Sequence, residues 1–369
     1  MPRVWQYAGG RPRTGGGVFR PDCMPAAGVI RHEVKMPLIT GRSRVLGVYA
    51  AAAARQWVVP TFCSENLTTT EAILAAVSEF GAARGLDFLP VAIAITNLYD
   101  HRSQTLNYTR TGAWRMGLKL FAADLKVLCG PDSPFAGLPV MLHLDHIKPE
   151  FDGELLEQGD FGEFSSIMFD ASAAPFARNI AQTAEFMRKH GQEIVVEGAC
   201  DEIVDAGGAP GGLTTPERAE IYLRGTQVDF MVANLGTEHR ASAADLRYHG
   251  ELARAISARV GPRLVLHGCS SVADDQIGNL FDDGVRKVNI WTALERDSSP
   301  ALLAAMAANA ARVAGPAVAQ RLRAQDLLGA RADLRSPPDL KYFTTVWRQE
   351  IVFREMKKIV GNFLGLFYR

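Results

Sequence analysis

The sequence predicts a (β/α)8 barrel, a TIM barrel, with a C-terminal helical extension. Three observations carry this. From residue 50 on, eight short β-rich runs alternate with longer helical patterns, as βα units around a parallel sheet do. The alternation fills roughly 250 to 300 residues, the size of one barrel. Histidines and acidic residues gather just after several of the runs, where the working rim of such a barrel lies.

The runs, in order, are Trp57–Phe62, Phe88–Ile95, Val140–Leu144, Ser165–Phe169, Glu193–Val196, Phe230–Ala233, Leu264–Leu266 and Val288–Ile290. They are mostly apolar, as strands buried on both faces are. Helical segments fit between them. Thr68, Thr69 and Thr70 offer N-caps before Ala72-Ile73-Leu74. Pro175 opens Phe176–His190, and Gly191 stops it. Thr215-Pro216-Glu217 opens Arg218–Leu223, and Asp274-Asp275 begins a segment running to Phe281. An open doubly wound sheet would carry a glycine-rich phosphate turn after an early strand. Thr61-Phe62-Cys63-Ser64-Glu65-Asn66 offers none.

Residues 1–35 differ from the rest. Arg3, Arg11, Arg13 and Arg20 stand among glycines and prolines, without the apolar run of a secretory signal. A disordered extension, or residues upstream of a start at Met36, fits better than a targeting peptide. The barrel is expected over 36–335. The tail over 336–369 is helical, with Trp347, Ile351, Phe353, Met356 and Ile359 giving it apolar surface to pack on the barrel or a second subunit.

Lys plus Arg and Asp plus Glu number 40 each, so no global charge favours nucleic acid or an anionic membrane as partner. Ala301–Ala319, the most apolar stretch, carries Arg312 and Pro316 and reads as a packing helix, not a membrane span. The five cysteines are odd in number and form no C-x-x-C pair. They read as reduced thiols of a cytoplasmic protein.

Of the eight histidines, His146, His239 and His267 follow the third, sixth and seventh runs, and Glu197 follows the fifth. On one rim, three imidazoles suit Zn2+ or a similar cation with a position open for substrate. Asp145 precedes His146, so on an extended chain it faces a different way and suits a proton carrier beside the substrate. His143 shares the side of Asp145 and suits a residue that orients a neighbour. His32, His101, His190 and His249 carry no such signal. Gly268 with Ser270, and Thr292 after the last run, stand where barrels often bind phosphate.

The ordered set resembles the class II, metal-dependent, fructose-bisphosphate aldolases. It runs through Asn66-Leu67, His143-Leu144-Asp145-His146, Phe164 to Asp170, Pro175-Phe176 with Asn179-Ile180, Glu197, Gly236-Thr237-Glu238-His239, Leu266-His267-Gly268 and Lys287-Val288-Asn289-Ile290. Lys341-Tyr342-Phe343 with Val346-Trp347 resembles the longer, typically dimeric branch, which implies a homodimer. The resemblance implies a Zn2+, Co2+ or Mn2+ site made by His146, His239 and His267, with Glu197 as an alternative ligand. It implies Asp145 as acid/base at the aldehyde-derived oxygen and Asn289 as a holder of the enediolate. Gly268, Ser270 and Thr292 match parts of a donor phosphate site. The reaction implied is reversible C–C cleavage of a ketose, with dihydroxyacetone phosphate as a candidate donor.

Several positions depart from that pattern. Glu197-Gly198-Ala199 replaces the usual Glu-x-Glu, and only Glu202 or Asp205 is available as the loop acid that moves the donor-carbon proton. Arg240 replaces a glycine and offers charge to a phosphate. Gly268-Cys269-Ser270-Ser271 replaces Gly-Gly-Ser-Gly, Cys63 replaces an asparagine, and Trp291 replaces an aspartate. No tail arginine stands beside Thr344-Thr345 to take a far phosphate. These departures predict an acceptor other than the glycolytic one. Competing readings are a metal-binding barrel without catalysis and a barrel metallohydrolase. The latter favours a His-x-His that Phe62-Cys63-Ser64 lacks. A Schiff-base aldolase needs a lysine at a strand end, and neither Lys148 nor Lys287 is so placed in this reading.

Overall fold

The computed structural model describes residues 38–203, 212–237, 248–269 and 272–369. Eight parallel strands close in sequence order into one barrel. They are β1 (Val59–Cys63), β2 (Val91–Thr96), β3 (Val140–Ile147), β4 (Ser166–Phe169), β5 (Val195–Ala199), β6 (Phe230–Val232), β7 (Leu264–Leu266) and β8 (Val285–Ile290). Closure is made by β1 on β8, which sets Thr61 beside Asn289 and Phe62 beside Ile290. The fold is the TIM barrel read from the alternation of apolar runs.

Of the strands, only β7 keeps the bounds read from sequence, and three of the differences bear on the site. β3 runs on through Asp145 and His146, so both lie within the strand. β5 starts two residues later than expected and includes Glu197. β8 starts at Val285, which puts Lys287 inside it. In each case polar residues occupy a strand, because the barrel interior itself holds polar side chains.

The helices obey local rules. Asn66, not a threonine, caps the helix Leu67–Arg84, its side chain accepting from Thr69 N at 3.2 Å. Thr215 caps Pro216–Thr226 in the same way, accepting from Arg218 N at 3.2 Å. Phe176–His190 begins after Pro175 and stops at Gly191, as read. The segment at Asp274 is helical only to Ile277. A helix that the alternation did not reveal, Arg42–Ala53, lies under the strand starts. It is tied there by Arg42 N to Glu193 O at 3.0 Å, by Arg42 to Asp229 at 2.5 Å, and by Tyr49 against Phe230.

The tail helix Thr345–Phe367 packs on Leu67–Arg84 and Thr292–Ala308. Burying its face of Ile351, Met356, Val360, Leu364 and Phe367 removes apolar surface from water, and that burial is what holds it on the barrel. Its end is pinned by Trp57 Nε1 donating to Arg369 O at 3.2 Å and by Tyr368 OH donating to Pro90 O. Among the described residues, no helix is long and apolar enough to cross a membrane.

Candidate active site

The site is centred on an irregularity in β3. Its pairing with β4 shifts between Leu144 and Ile147, and His146 has φ 47°, a left-handed value a histidine seldom adopts. An ordinary strand would send Asp145 and His146 to opposite faces. The bulge turns both into one cavity, so the expectation that they face different ways is corrected. Together with His267, past the end of β7, they bring ligand atoms within 4.8 Å of one another, all buried.

The chemistry of that donor set fits a metal. Two imidazoles and a carboxylate at this spacing suit a divalent cation such as Zn2+, Co2+ or Mn2+. His146 is oriented from behind: its Nδ1 lies 2.8 Å from Asp170 Oδ2, which leaves Nε2 for a ligand role. Its ring also stacks on Tyr99, with centroids 4.4 Å apart. Burial opposes charge on Asp170, but the hydrogen bond and charge of His146 outweigh it and hold the carboxyl well below the usual range.

Asp145 is fixed on both oxygens. Asn289 Nδ2 donates to Oδ1 at 2.9 Å, and Cys63 Sγ lies 3.5 Å from Oδ2. Burial penalises its charge, but the charge of His146 and the nearby imidazoles of His143 and His267 win. The carboxyl is held well below its ordinary value and stays ionised. Burial, then the charge of Asp145, push the Cys63 thiol up, so it stays protonated and can donate.

Beneath the rim lies a second polar layer. Lys287 Nζ donates to Glu197 Oε2 at 2.9 Å, and neither side chain has any exposure. His143 Nε2 lies 3.5 Å from Asp145 and 3.6 Å from Glu197, while its Nδ1 meets Ser166 Oγ at 2.8 Å. Glu197 therefore belongs to an ion pair across the barrel interior, with the His143 imidazole between it and Asp145. Two buried charges of this kind are tolerable only as a pair.

The cavity above these residues encloses ≈ 640 Å³, mouth included. Seven of the residues singled out by sequence line it: Asp145, His146, His267, Gly268, Asn289, Trp291 and Thr292. Gly268 has φ 69°, which a side chain would strain. Glu202 is exposed and does not line the cavity. His239, Arg240, Ser270 and Asp205 lie outside the described residues.

Other lining residues were not foreseen. Thr96, Tyr99, His101, Arg102 and Gln104 come from the end of β2 and the loop after it. That loop is anchored by buried Asp152, which accepts from Asn97 Nδ2 at 2.9 Å, Leu98 N at 3.0 Å and Lys148 N at 2.9 Å. The signal available in sequence was position alone: the loop follows a strand end, as the histidines do. Glu65, after β1, accepts from Trp291 Nε1 at 2.7 Å, Gln104 Nε2 at 2.9 Å and Arg102 Nε at 3.1 Å.

Comparison with known proteins agrees with this architecture. The family described as fructose-bisphosphate aldolase class-II matches residues 43–336. A 6-phospho-5-dehydro-2-deoxy-D-gluconate aldolase of Shouchella clausii (strain KSM-K16) is 34% identical over 163 residues, 42% of this chain. That match spans about half (53%) of the relative's length. The D-tagatose-1,6-bisphosphate aldolase subunit GatY of Klebsiella oxytoca is 29% identical over 255 residues, 67% of this chain and 80% of that protein. Among solved structures, a fructose-bisphosphate aldolase from Campylobacter jejuni superposes with a TM-score of 0.63 at 18% identity, covering 89% of this chain and 95% of that one. The YdjI aldolase from Escherichia coli K12 gives 0.56 at 18% identity, covering 87% and 95%. The structural likenesses concern the fold, whereas the family match spans most of the sequence. The chain belongs to the class II fructose-bisphosphate aldolase family.

Proposed function

We propose that the protein is a divalent-metal-dependent aldolase, a carbon–carbon lyase. It reversibly joins a ketose-type donor, dihydroxyacetone phosphate or a close analogue, to an aldehyde other than the standard glycolytic one. The observation that carries this reading is the convergence of Asp145, His146 and His267 on one cavity, with Asp145 set by Asn289. Relatives named for phosphorylated sugar substrates support a phosphorylated donor.

In this reading His146 and His267 hold the cation, with His239 as third ligand. Glu197, the alternative ligand, is engaged by Lys287. When bound, a cation such as Zn2+ supplies a Lewis acid that lowers the cost of negative charge on the donor oxygens. Asp145 takes the proton of the hydroxyl next to the breaking bond during cleavage and returns it to the aldehyde oxygen during condensation. Asn289 keeps that carboxylate aimed. Glu202 or Asp205 is the acid available to move the donor-carbon proton. Gly268, Ser270 and Thr292, with the start of the helix Thr292–Ala308, receive the donor phosphate, and Arg240 adds charge.

The free thiols of Cys63, Cys129 and Cys200 suit a reducing, cytoplasmic compartment. Exposed Leu303, Leu340, Phe343 and Val346 on the C-terminal helices support a homodimer, which sedimentation at several concentrations tests.

The experiment is a panel of ketose phosphates and donor–aldehyde pairs, assayed before and after chelation and after adding Zn2+, Co2+ or Mn2+. Chelator-sensitive C–C cleavage restored by one of the ions is expected. Bound metal with neither cleavage nor condensation would favour the non-catalytic barrel.

A further inference from the structure

One wall of the cavity is braced by groups that the reaction at Asp145 does not use. Glu65 is buried, 7% exposed, at the end of β1. It gathers donors from two other elements: Trp291 after β8, and Arg102 and Gln104 after β2. Arg102 is held through Nε and Nη2 on the same carboxylate, so its charge is met by Glu65. Gln104 spends its other end on Thr96 N at 2.8 Å. The single donor of the Trp291 indole is consumed by Glu65. Trp291, Ile290, Arg102 and Gln104 all line the cavity, and the carboxylate behind them takes the one donor of the Trp291 indole and part of the donors of Gln104 and Arg102.

The consequence is chemical. A substrate hydroxyl or phosphate against the Trp291 and Ile290 part of this wall would lose its water and find the indole donor already bound, at the cost of an unpaired polar group. An alkyl chain would lose nothing and gain contact with the Trp291 ring and Ile290. Asn289, on β8 two residues before Trp291, holds Asp145. The wall therefore stands beside the carboxylate that serves the aldehyde oxygen.

Resting on the aldolase reading above, we infer that Trp291, braced by Glu65 and Arg102, selects an acceptor aldehyde with a short, uncharged alkyl substituent over hydroxylated or phosphorylated ones. The step is redox-neutral. The donor carbon loses a proton and bonds to the aldehyde carbon, whose oxygen takes up a proton. Trp291 touches the substituent, and Glu65 is a positioning residue that acts through the indole.

The test uses the full-length, metal-loaded enzyme with dihydroxyacetone phosphate as donor. Butanal, glyceraldehyde 3-phosphate and glyoxylate are compared by kcat/KM, and the readout is their ratio, which cancels any common loss of activity. Butanal is expected to lead by about tenfold or more, the scale at which apolar pockets discriminate. Trp291→Ala and Glu65→Gln should each bring the ratio down about tenfold, while Trp291→Phe, which keeps an apolar ring, should retain most of it. A lead for glyceraldehyde 3-phosphate or glyoxylate, or a ratio unmoved by Trp291→Ala, overturns the inference. Exchange of a donor proton with solvent is measured alongside in the unmutated enzyme. Its presence without a butanal preference sinks this inference alone, whereas its absence sinks the aldolase reading as well.

Discussion

The two sides of the cavity follow different rules. Around β3, Asp145 and His146 are held by Asn289 and Asp170, in the stretch whose sequence resembles the class II aldolases. Across the cavity, around the ends of β1, β2 and β8, Glu65 and Arg102 brace Trp291, a position where the sequence departs from that resemblance. In the proposed reading, reaction type and substrate choice are carried by separate side chains on one rim. A change on the first side should alter rate, and a change on the second should alter preference.

The sharpest way to break that division is to substitute Asp145→Asn. Loss of a positioned acid/base costs about 10²–10⁴-fold in rate. C–C cleavage and condensation should fall by that amount, while exchange of the donor proton continues. Glu202→Gln should do the reverse to exchange, by a similar factor if it is the loop acid. Equal losses of both activities in both variants would remove the assignment of separate proton carriers.

Next in size is the layer beneath. Lys287→Met would leave Glu197 as an uncompensated charge with no exposure, at about 3–5 kcal/mol of stability. Replacing both, as Glu197→Gln with Lys287→Met, should recover most of the loss. Denaturant melts of the parent, the single variant and the double variant check this. A single Lys287→Met variant as stable as the parent would show that the pair does not hold the interior.

The smallest effect concerns Glu295, in the first turn of the helix Thr292–Ala308. Burial, and then the charge of Glu65, push its carboxyl up to about 7. A folded-state value above the unfolded one means that ionisation costs stability, increasingly as pH rises from the unfolded value of about 4.3 to 7 and constantly above. Glu295→Gln should therefore gain little at pH 4 and, discounted for partial exposure to solvent, about 1 kcal/mol at pH 8. A gain independent of pH would place the burden elsewhere than on this carboxyl.

How far the sequence foretold all this depends on the range of the interaction. The barrel was legible because apolar runs and helix stops are local, as at Phe176–His190. β5 was misjudged because Glu197-Gly198-Ala199 reads like a strand exit, although a lysine on β8 makes that glutamate a tenable interior residue. Asp145 and His146 were found by their types, yet their shared direction depends on the φ of His146, which no spacing reveals. Trp291 was visible as an oddity, whereas Glu65, its partner 226 residues away, carried no signal of its own. His101 looked ordinary and lines the cavity only because the loop after β2 folds over it.

Metal-dependent aldol chemistry at the Asp145–His146–His267 cluster is checked by following deuterium uptake from solvent into dihydroxyacetone phosphate on the full-length enzyme as Zn2+, Co2+ or Mn2+ is titrated back after chelation. Uptake should be absent in the chelated protein, rise with added metal to about one equivalent per chain, and be lost in His267→Ala. Uptake unaffected by chelator, or no uptake with metal stoichiometrically bound, would contradict that chemistry.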